Sequence, residues 1–382
     1  MISPAKRLDS TQEYYFSKKL REVRGLIAQG KPIINLGIGS PDLAPPKQVI
    51  EALSASLHLE GVHQYQPYKG IPELREAMAA FYKKHYHVSP DPDKHILPLT
   101  GSKEGIMHIS MAFLNNGDQV LVPNPGYPSY SAVTNLLEAQ AIFYELDEQH
   151  NWMPDLAALQ QLDLSKVKIM WINYPHMPTG AKAIPQLFKK LVAFAKKHHI
   201  VLVNDNPYSF ILNDSPASLL NYCTSDDPCL ELNSLSKTFN MAGWRVGMLV
   251  GNADLIEQVL KVKSNMDSGM FYGLQKGAIA ALQTDSSWMQ DLNDIYAKRR
   301  VWAWKIADAL GAIYHKDAVG LFVWAKVPEN TTATAVSDRL LYDKDIFITP
   351  GIIFGDHGAQ YIRISLCTNQ SQLELAHKRL IS

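Results

Sequence analysis

The segment S-L-S-K-T-F-N-M-A-G-W-R-V-G, residues 234–247, contains a lysine whose neighbours could make it a nucleophile. Lys237 follows an apolar run and two serines, and a lysine held at a strand end beside other cations loses proton affinity and attacks carbonyl groups. Arg245 and the hydroxyls of Ser234 and Ser236 could bind a phosphate dianion. The segment therefore indicates a site for a phosphorylated aldehyde, although a lone lysine is most often a solvated surface residue.

A carboxylate that could serve the same site ends the apolar run I-V-L-V-N-D. Asp205 stands where ligands of open α/β sheets bind, at the C-terminal end of a strand. Such an aspartate is usually a turn residue or a helix cap. With Lys237 following 32 residues later, it could instead keep a pyridine nitrogen protonated, which makes the ring an electron sink. Tyr208 could donate a hydrogen bond to an oxygen on that ring.

Three further segments could complete the site. In L-T-G-S-K-E-G, a strand meets a helix N-terminus near Ser102, where backbone N–H groups bind anions unless this is an ordinary helix start. Tyr127 in N-P-G-Y-P-S-Y could stack on a flat ring, although a core tyrosine is nearly as common. Arg363 interrupts the apolar strand Y-I-R-I-S-L and needs an anion there, either a substrate carboxylate or a structural one.

The elements that must position these residues form an α/β pattern. From about residue 95 to 250, short apolar runs alternate with helical stretches such as residues 185–199. The predicted strands are H-I-L-P-L-T, Q-V-L-V-P, A-I-F-Y-E-L, K-I-M-W-I-N, I-V-L-V-N, C-L-E-L-N-S-L and V-G-M-L-V-G. Such runs are typical of a parallel sheet covered by helices on both faces. We predict a large domain with a mostly parallel seven-stranded sheet.

The chain is long enough for two domains, since 382 residues exceed the usual size of one hydrophobic core. Its C-terminal part has a separate rhythm of strands and helices, which include G-L-F-V-W-A, D-I-F-I-T-P and Y-I-R-I-S-L. We predict an N-terminal segment, residues 1–45, that joins the small domain. The large domain would span residues 46–285 and the smaller α+β domain residues 286–382.

Composition and missing motifs exclude several function classes. Lys plus Arg and Asp plus Glu both total 37, which predicts no nucleic-acid partner and no anionic membrane surface. An apolar leader and spanning segments are lacking, so we expect a cytoplasmic protein. The three cysteines are too irregularly spaced for a metal site or a disulfide framework. Without G-x-G-x-x-G, a P-loop or G-x-S-x-G, a dinucleotide enzyme, a P-loop protein and a serine hydrolase are disfavoured.

Together, these segments resemble the class I/II aminotransferases, the fold-type-I family of pyridoxal-phosphate enzymes. The resemblance runs from G-I-G-S-P-D at residue 37 to Arg363, and its five motifs occur in family order. It implies pyridoxal 5'-phosphate as cofactor and a homodimer with active sites at the interface. It also implies ping-pong transfer of an amino group between an L-amino acid and a 2-oxo acid.

The resemblance implies a role for each matching residue. Lys237 looks like the Schiff-base lysine and proton-transfer base, Asp205 like the partner of the pyridine nitrogen, and Tyr208 like the donor to the ring hydroxyl. Tyr127 resembles the aromatic residue stacked on the ring. The residues that resemble the phosphate cup are Ser102, Lys103, Ser234 and Arg245.

Three more positions match residues outside that core set. Tyr65, in H-Q-Y-Q-P-Y-K-G, resembles a tyrosine that reaches the phosphate from the other subunit. Arg363 resembles the clamp for the substrate α-carboxylate. Gly39 lies in a segment that resembles a loop closing over the substrate.

One position departs from the family pattern. The family usually reads N-P-T-G, where the asparagine donates to the cofactor's ring oxygen, but N-Y-P-H-M-P-T-G places Met177 there. Methionine cannot donate a hydrogen bond. Tyr208 would be the main donor, unless Asn173 or His176 reaches the ring. We therefore expect a higher pKa of the cofactor imine than in relatives with asparagine.

Within the family, G-S-K-E-G-I and K-V-K-S-N-M-D-S-G-M-F look most like the LL-diaminopimelate and N-succinyldiaminopimelate aminotransferase branch. Aspartate-like substrates are an alternative, although no second arginine is evident for a distal carboxylate. The candidates for the side-chain pocket are Lys69, Lys103, Lys263, Tyr14 and Tyr15. Two rival functions are a carbon–sulfur β-lyase of the same fold and a non-catalytic pyridoxal-phosphate-binding protein.

Overall fold

The computed structural model describes residues 2–8, 15–182 and 184–382, without the side chains of residues 15 and 16. Tyr14 and the Tyr15 side chain, two candidates for the substrate pocket, therefore lie outside the described residues. The helices are α1 Tyr15–Ala28, α2 Lys47–Ser56, α3 Pro72–Tyr86, α4 Ser102–Phe113, α5 Ser129–Leu136, α6 Leu156–Leu159, α7 Pro185–His198, α8 Leu235–Thr238, α9 Ala253–Lys263, α10 Tyr272–Leu282, α11 Ser286–Ala309, α12 Ala333–Lys344 and α13 Gln370–Ile381. Among the described residues, none of these helices has the length and apolar content that crossing a membrane requires.

The strands belong to one large sheet and two small ones. They are β1 Ile34–Asn35, β2 Ile96–Leu99, β3 Gln119–Asn124, β4 Gln140–Glu145, β5 Val167–Ile172, β6 Val201–Asp205, β7 Cys229–Ser234, β8 Gly247–Gly251, β9 Ile313–Tyr314, β10 Phe322–Lys326, β11 Ile346–Phe347, β12 Thr349–Pro350 and β13 Tyr361–Ser365. The large sheet has the order β2-β8-β7-β6-β5-β3-β4. Only β8 runs antiparallel to its neighbours in this sheet. The predicted α/β fold with a mostly parallel seven-stranded sheet is confirmed.

Helices cover both faces of this sheet. In β5, Ile169 and Trp171 pack in the core that α4 and α9 share. Met170 and Ile172 point to the opposite face, into the core that includes α7. Because both sets of alternating side chains are buried, the central strands are apolar throughout. The edge strand β4 differs, since Phe143 is 53% exposed on it.

The smaller antiparallel sheet has the order β12-β13-β10-β9. Arg363 lies in β13, paired with Trp324 on β10 and Thr349 on β12. The run D-I-F-I-T-P was predicted as one strand, but it forms two. Its first half, β11, pairs in parallel with β1 near the N-terminus, whereas β12 pairs with β13. The run thus passes from one sheet to another, and the domain boundaries at residues 45/46 and 285/286 stay predictions.

Candidate active site

The candidate residues of the large domain follow the carboxyl ends of neighbouring strands. Asp205 ends β6, Asn173 follows β5 and Ser234 ends β7. Because β8 is antiparallel to both β7 and β2, β2 points the same way as β7 and brings Ser102 to the same edge. Carboxyl ends of parallel strands form the ligand-binding edge of open α/β sheets. A pocket of about 360 Å³ lies at this edge.

Of the residues predicted to bind the cofactor or the substrate α-carboxylate, or to close over the substrate, all except Tyr65 line this pocket. They are Gly39, Ser102, Lys103, Tyr127, Asn173, Asp205, Tyr208, Ser234, Ser236, Lys237, Arg245 and Arg363. Tyr65 is 90% exposed and lines a separate surface groove with Gln64 and Gly269. Within one subunit, the structure therefore does not bring Tyr65 to the other candidates.

Lys237 lies in the short helix α8, which starts where β7 ends. Ser234 caps this helix, because its Oγ accepts the backbone N–H of Ser236 at 3.1 Å. Lys237 Nζ donates to the carbonyl oxygen of Gly39 at 2.6 Å. Burial, together with the charges of Arg363 and Arg245, lowers the pKa of the Lys237 ammonium. A lower pKa increases the fraction of neutral amine, which is the nucleophilic form.

One carboxylate oxygen of Asp205 accepts a hydrogen bond and the other does not. Its Oδ2 accepts a hydrogen bond of 2.9 Å from the Tyr130 hydroxyl, and the Tyr130 ring stacks on Trp171 at 4.9 Å between centroids. Its Oδ1 is buried without a hydrogen-bond partner within the described part of the chain. Burial raises the pKa of Asp205 to about 6, although the Tyr130 hydrogen bond and the Lys237 charge oppose this. The oxygen is placed to accept from a ring N–H.

Tyr130 is the residue that the sequence reasoning missed. It lies in N-P-G-Y-P-S-Y, in which only Tyr127 was selected as a candidate. Both tyrosines line the pocket, and their rings meet edge to face at 5.6 Å. The signal that could have identified Tyr130 is the second tyrosine of the same segment, three residues further on.

The phosphate end of the pocket combines a helix N-terminus with a guanidinium group. Gly101 precedes α4 with φ +86, and a Cβ there would lie 2.2 Å from Arg245 Nη2. Only glycine therefore permits this approach of Arg245. The first N–H groups of α4 and the hydroxyls of Ser234 and Ser236 surround the same space. With the available oxygen of Asp205, this cradle fits a phosphorylated ring that carries an N–H group.

Arg363 lies between two phenyl rings at the other end of the pocket. Its guanidinium carbon is 4.0 Å from the ring centroid of Phe322 and 4.6 Å from that of Phe354. Its Nη2 donates to the carbonyl oxygen of Gly37 at 2.9 Å. Stacking between aromatic rings orients the planar guanidinium. The group also lines the pocket, where its orientation suits a carboxylate.

Asn173 lines the pocket, whereas His176 is not among its lining residues, and both make hydrogen bonds to neighbouring residues. Asn173 Nδ2 donates to the backbone oxygen of Asp205, and its Oδ1 accepts from the backbone N–H of Met177 at 2.8 Å. His176 Nδ1 lies 2.8 Å from Thr179 Oγ1. Burial lowers the pKa of His176 to about 3, so its ring is neutral at physiological pH.

We expect Asp205→Asn to stabilise the cofactor-free protein near neutral pH. The pKa of Asp205 rises from an ordinary 3.8 to about 6 on folding. Between these pH values the native state holds a proton that the unfolded state has lost, so the free energy of unfolding of the parent falls as pH rises. Two pKa units correspond to about 3 kcal/mol.

Urea unfolding at pH 4 and pH 8 tests this expectation. The free energy of unfolding of Asp205→Asn should exceed that of the parent by an amount that grows between these pH values and levels off above the folded-state pKa of Asp205. Asp226→Asn, at an exposed aspartate, is the control and should change little. Equal stability of Asp205→Asn and the parent at pH 8 would contradict the expectation.

Comparisons with known proteins agree with this geometry. The family described as aminotransferase class I and II matches residues 31–380. The LL-diaminopimelate aminotransferase of Dehalococcoides mccartyi is 40% identical over 375 residues, covering 97% of this chain and 96% of that protein.

Two solved structures extend the comparison. Apo-BacF from Bacillus subtilis superposes with a TM-score of 0.94 at 36% identity, covering 100% of this chain and 98% of that one. A probable N-succinyldiaminopimelate aminotransferase from Thermus thermophilus gives a TM-score of 0.88 at 29% identity, covering 96% and 98%. The family depends in general on pyridoxal phosphate, and the resemblance derived from the motifs is confirmed. The chain therefore belongs to the aminotransferase class I and II family, has the fold-type-I architecture and is a transaminase.

Proposed function

We propose that the pocket binds pyridoxal 5'-phosphate and that the protein transfers amino groups between an L-amino acid and a 2-oxo acid by a ping-pong mechanism. One observation carries this proposal. A half-buried lysine amine, the Asp205 oxygen without a hydrogen-bond partner and a helix N-terminal anion site line one pocket. Bound there, the cofactor would supply an electron sink for the α-carbon of an amino acid.

We assign the protein's own contributions as follows. Lys237 Nζ, with its lowered pKa, holds the cofactor aldehyde and takes the α-proton of the amino acid as a general base. Asp205 Oδ1 accepts the ring N–H, and its negative charge keeps that nitrogen protonated. Tyr208 donates to the ring oxygen and Tyr127 packs against the ring. The α4 N-terminus, Lys103, Ser234, Ser236 and Arg245 bind the phosphate.

Arg363 binds the α-carboxylate of the substrate in this proposal. Its guanidinium is held by Phe322 and Phe354, so little rotational freedom is lost when a carboxylate binds in bidentate fashion. Gly39 contributes through its backbone, because a Cβ there would lie 2.8 Å from the Phe322 ring. The segment around Gly39 would then cover the substrate.

For the substrate side chain, we propose diaminopimelate-type compounds first and aspartate-like compounds second. The names of relatives such as the one from Dehalococcoides mccartyi support the first choice. Within the described residues, Arg245 and Arg363 are the only arginines that line the pocket. Of the lysines suggested for the side-chain pocket, Lys103 lines it, whereas Lys69 donates to the carbonyl oxygen of Asp93.

We also propose a homodimer in which Tyr65 reaches the partner's phosphate site. Tyr65 is 90% exposed and shares a surface groove with Phe271, which is 39% exposed. Exposed aromatic side chains beside each other favour a protein interface. A cytoplasmic location stays a prediction.

A spectral screen of the purified, cofactor-loaded protein tests the proposed function. Amino-acid donors should convert the absorbance of the pyridoxal form to that of the pyridoxamine form, and a 2-oxo acid should reverse the change. The panel includes diaminopimelate, aspartate, glutamate and phenylalanine, with cysteine for the rival lyase. Release of pyruvate and ammonia without an acceptor would favour the lyase, and no change with any amino acid would favour a binding protein.

We expect Met177→Asn to lower the pH midpoint of the absorbance change of the loaded protein, by about one unit. An asparagine would add a hydrogen-bond donor to the ring oxygen, and this donor competes with the proton shared between that oxygen and Lys237 Nζ. Spectrophotometric titration measures the midpoint. Met111→Asn, at a 40% exposed methionine, is the control. An unmoved or raised midpoint in Met177→Asn would refute the expectation.

A further inference from the structure

A buried ionic cluster lies between α4 and α9, behind the phosphate end of the pocket. Lys263 and His108 are each 2% exposed. His108 Nε2 is 3.1 Å and Lys263 Nζ is 3.8 Å from Oε1 of Glu104, and Lys263 also pairs with Asp267. Ligand atoms of Glu104, His108 and Asp267 lie within 4.8 Å of one another, a spacing that would suit a metal. Because the Lys263 ammonium already supplies the positive charge, we interpret the group as an ionic cluster.

One end of this cluster fixes the phosphate site. Glu104 lies in the first turn of α4, and its Oε2 accepts the backbone N–H of Thr100. Thr100 precedes Gly101 and Ser102, where the helix N-terminus meets Arg245. Glu104 thus holds the turn that presents the anion-binding N–H groups, and Lys263 neutralises a carboxylate that would otherwise repel a phosphate.

The other end fixes the segment that carries Tyr65. Asp267 Oδ1 accepts the backbone N–H of Gly269 at 3.0 Å. Gly269 has φ +85, and a Cβ there would lie 2.3 Å from the carbonyl oxygen of Gln66. The turn at residues 267–269 therefore packs directly on the backbone next to Tyr65, and a shift of this turn must move Gln66.

We infer that Lys263 is a positioning residue that couples the phosphate site of its own subunit to the Tyr65 segment. This inference rests on the proposed function, in which Tyr65 serves the partner's site. Loss of the ammonium removes the cation that Glu104 and Asp267, both half-buried, share, so we expect the two carboxylates to separate and to shift the backbone turns that they hold. Cofactor affinity at one site thus depends on the same side chain that positions Tyr65 for the other site.

A double-mutant cycle on Lys263→Met and Tyr65→Phe tests the inference. Cofactor-stripped protein is titrated with pyridoxal phosphate, and the Kd is read from absorbance, independently of catalysis. We expect Lys263→Met to raise the Kd by about tenfold or more. Each single substitution raises the Kd by some factor. In the double variant, the factor should be smaller than the product of the two single factors by about threefold or more, because both changes act on the same contact.

Lys261→Met, at an exposed lysine of α9, is the matched control and should combine with Tyr65→Phe multiplicatively. Circular dichroism establishes folding. If Lys263→Met does not fold, Gly269→Ala takes its place, since it displaces Gln66 without removing a charge.

If the Kd increases of Lys263→Met and Tyr65→Phe simply multiply in the double variant, the inference is overturned while the proposed function stands. A parent protein without affinity for pyridoxal phosphate would overturn the proposed function and the inference with it.

Discussion

Replacing Lys237 with alanine should abolish amino-group transfer and leave the fold intact. We expect the first-order rate of the half-reaction with a good donor to fall by about 10³-fold or more, because the general base is lost together with the attachment point of the cofactor. The fold should tolerate the change. The only hydrogen bond that Lys237 Nζ makes among the described residues is to the Gly39 carbonyl, and removing a cation near Arg245 and Arg363 relieves repulsion.

Stopped-flow absorbance in single turnovers measures the loss for Lys237→Ala. Borohydride reduction of the loaded parent, followed by peptide mass mapping, should locate the cofactor on residue 237. Small primary amines added to the variant should restore part of the rate, since they can take the α-proton in the vacated space. Lys103→Ala, at an exposed lysine of the pocket, is the matched control and should lose much less. A half-reaction at near-parental rate in Lys237→Ala would sink the assignment.

The second large effect concerns the substrate rather than the cofactor. We expect Arg363→Lys to lower kcat/KM by about 10²-fold or more, since truncating a buried, hydrogen-bonded charge partner costs about 2–5 kcal/mol. An ammonium cannot bind a carboxylate in bidentate fashion, and it loses the stacking geometry between Phe322 and Phe354. The Kd for pyridoxal phosphate should stay within about twofold, because Arg245 and the α4 N-terminus bind the phosphate.

Steady-state kinetics over a range of donor concentrations, together with cofactor titration, separates these effects of Arg363→Lys. Arg339→Lys, at an exposed arginine of α12, controls for the substitution itself. A variant that loses the cofactor but keeps its KM would assign Arg363 to the cofactor instead. An unchanged kcat/KM would leave Arg363 with a structural role only.

The sequence alone was sufficient to predict the strands of the large sheet and most of the residues that line the pocket. Each strand of that sheet is a short, mostly apolar run, so its position follows from local composition. Lys237, Asp205 and Asn173 stand at or just after strand ends, and parallel strands bring those ends to one edge. Because each of these residues lies at or just after a strand end in the sequence, their proximity in the fold could be predicted.

Partners that come from distant segments were decided by the tertiary structure. Tyr130 donates to Asp205 across 75 residues of sequence, and no local pattern marks that hydrogen bond. Lys263, a candidate for the side-chain pocket from its sequence context, is instead buried against Glu104 and Asp267. The difference arises because burial of an ionisable side chain depends on which charges other elements bring beside it.

The pairing of the small sheets and the position of Tyr65 likewise depend on distant segments and not on local sequence. The composition of D-I-F-I-T-P indicates extended backbone, but only the packed chain determines that its halves pair with β1 and β13. Periodicity reports which faces of one element are apolar, because it reflects local burial. Hydrogen-bond partners, strand pairing and the direction of an exposed side chain such as Tyr65 depend on elements far apart in the chain, and only the tertiary structure sets these.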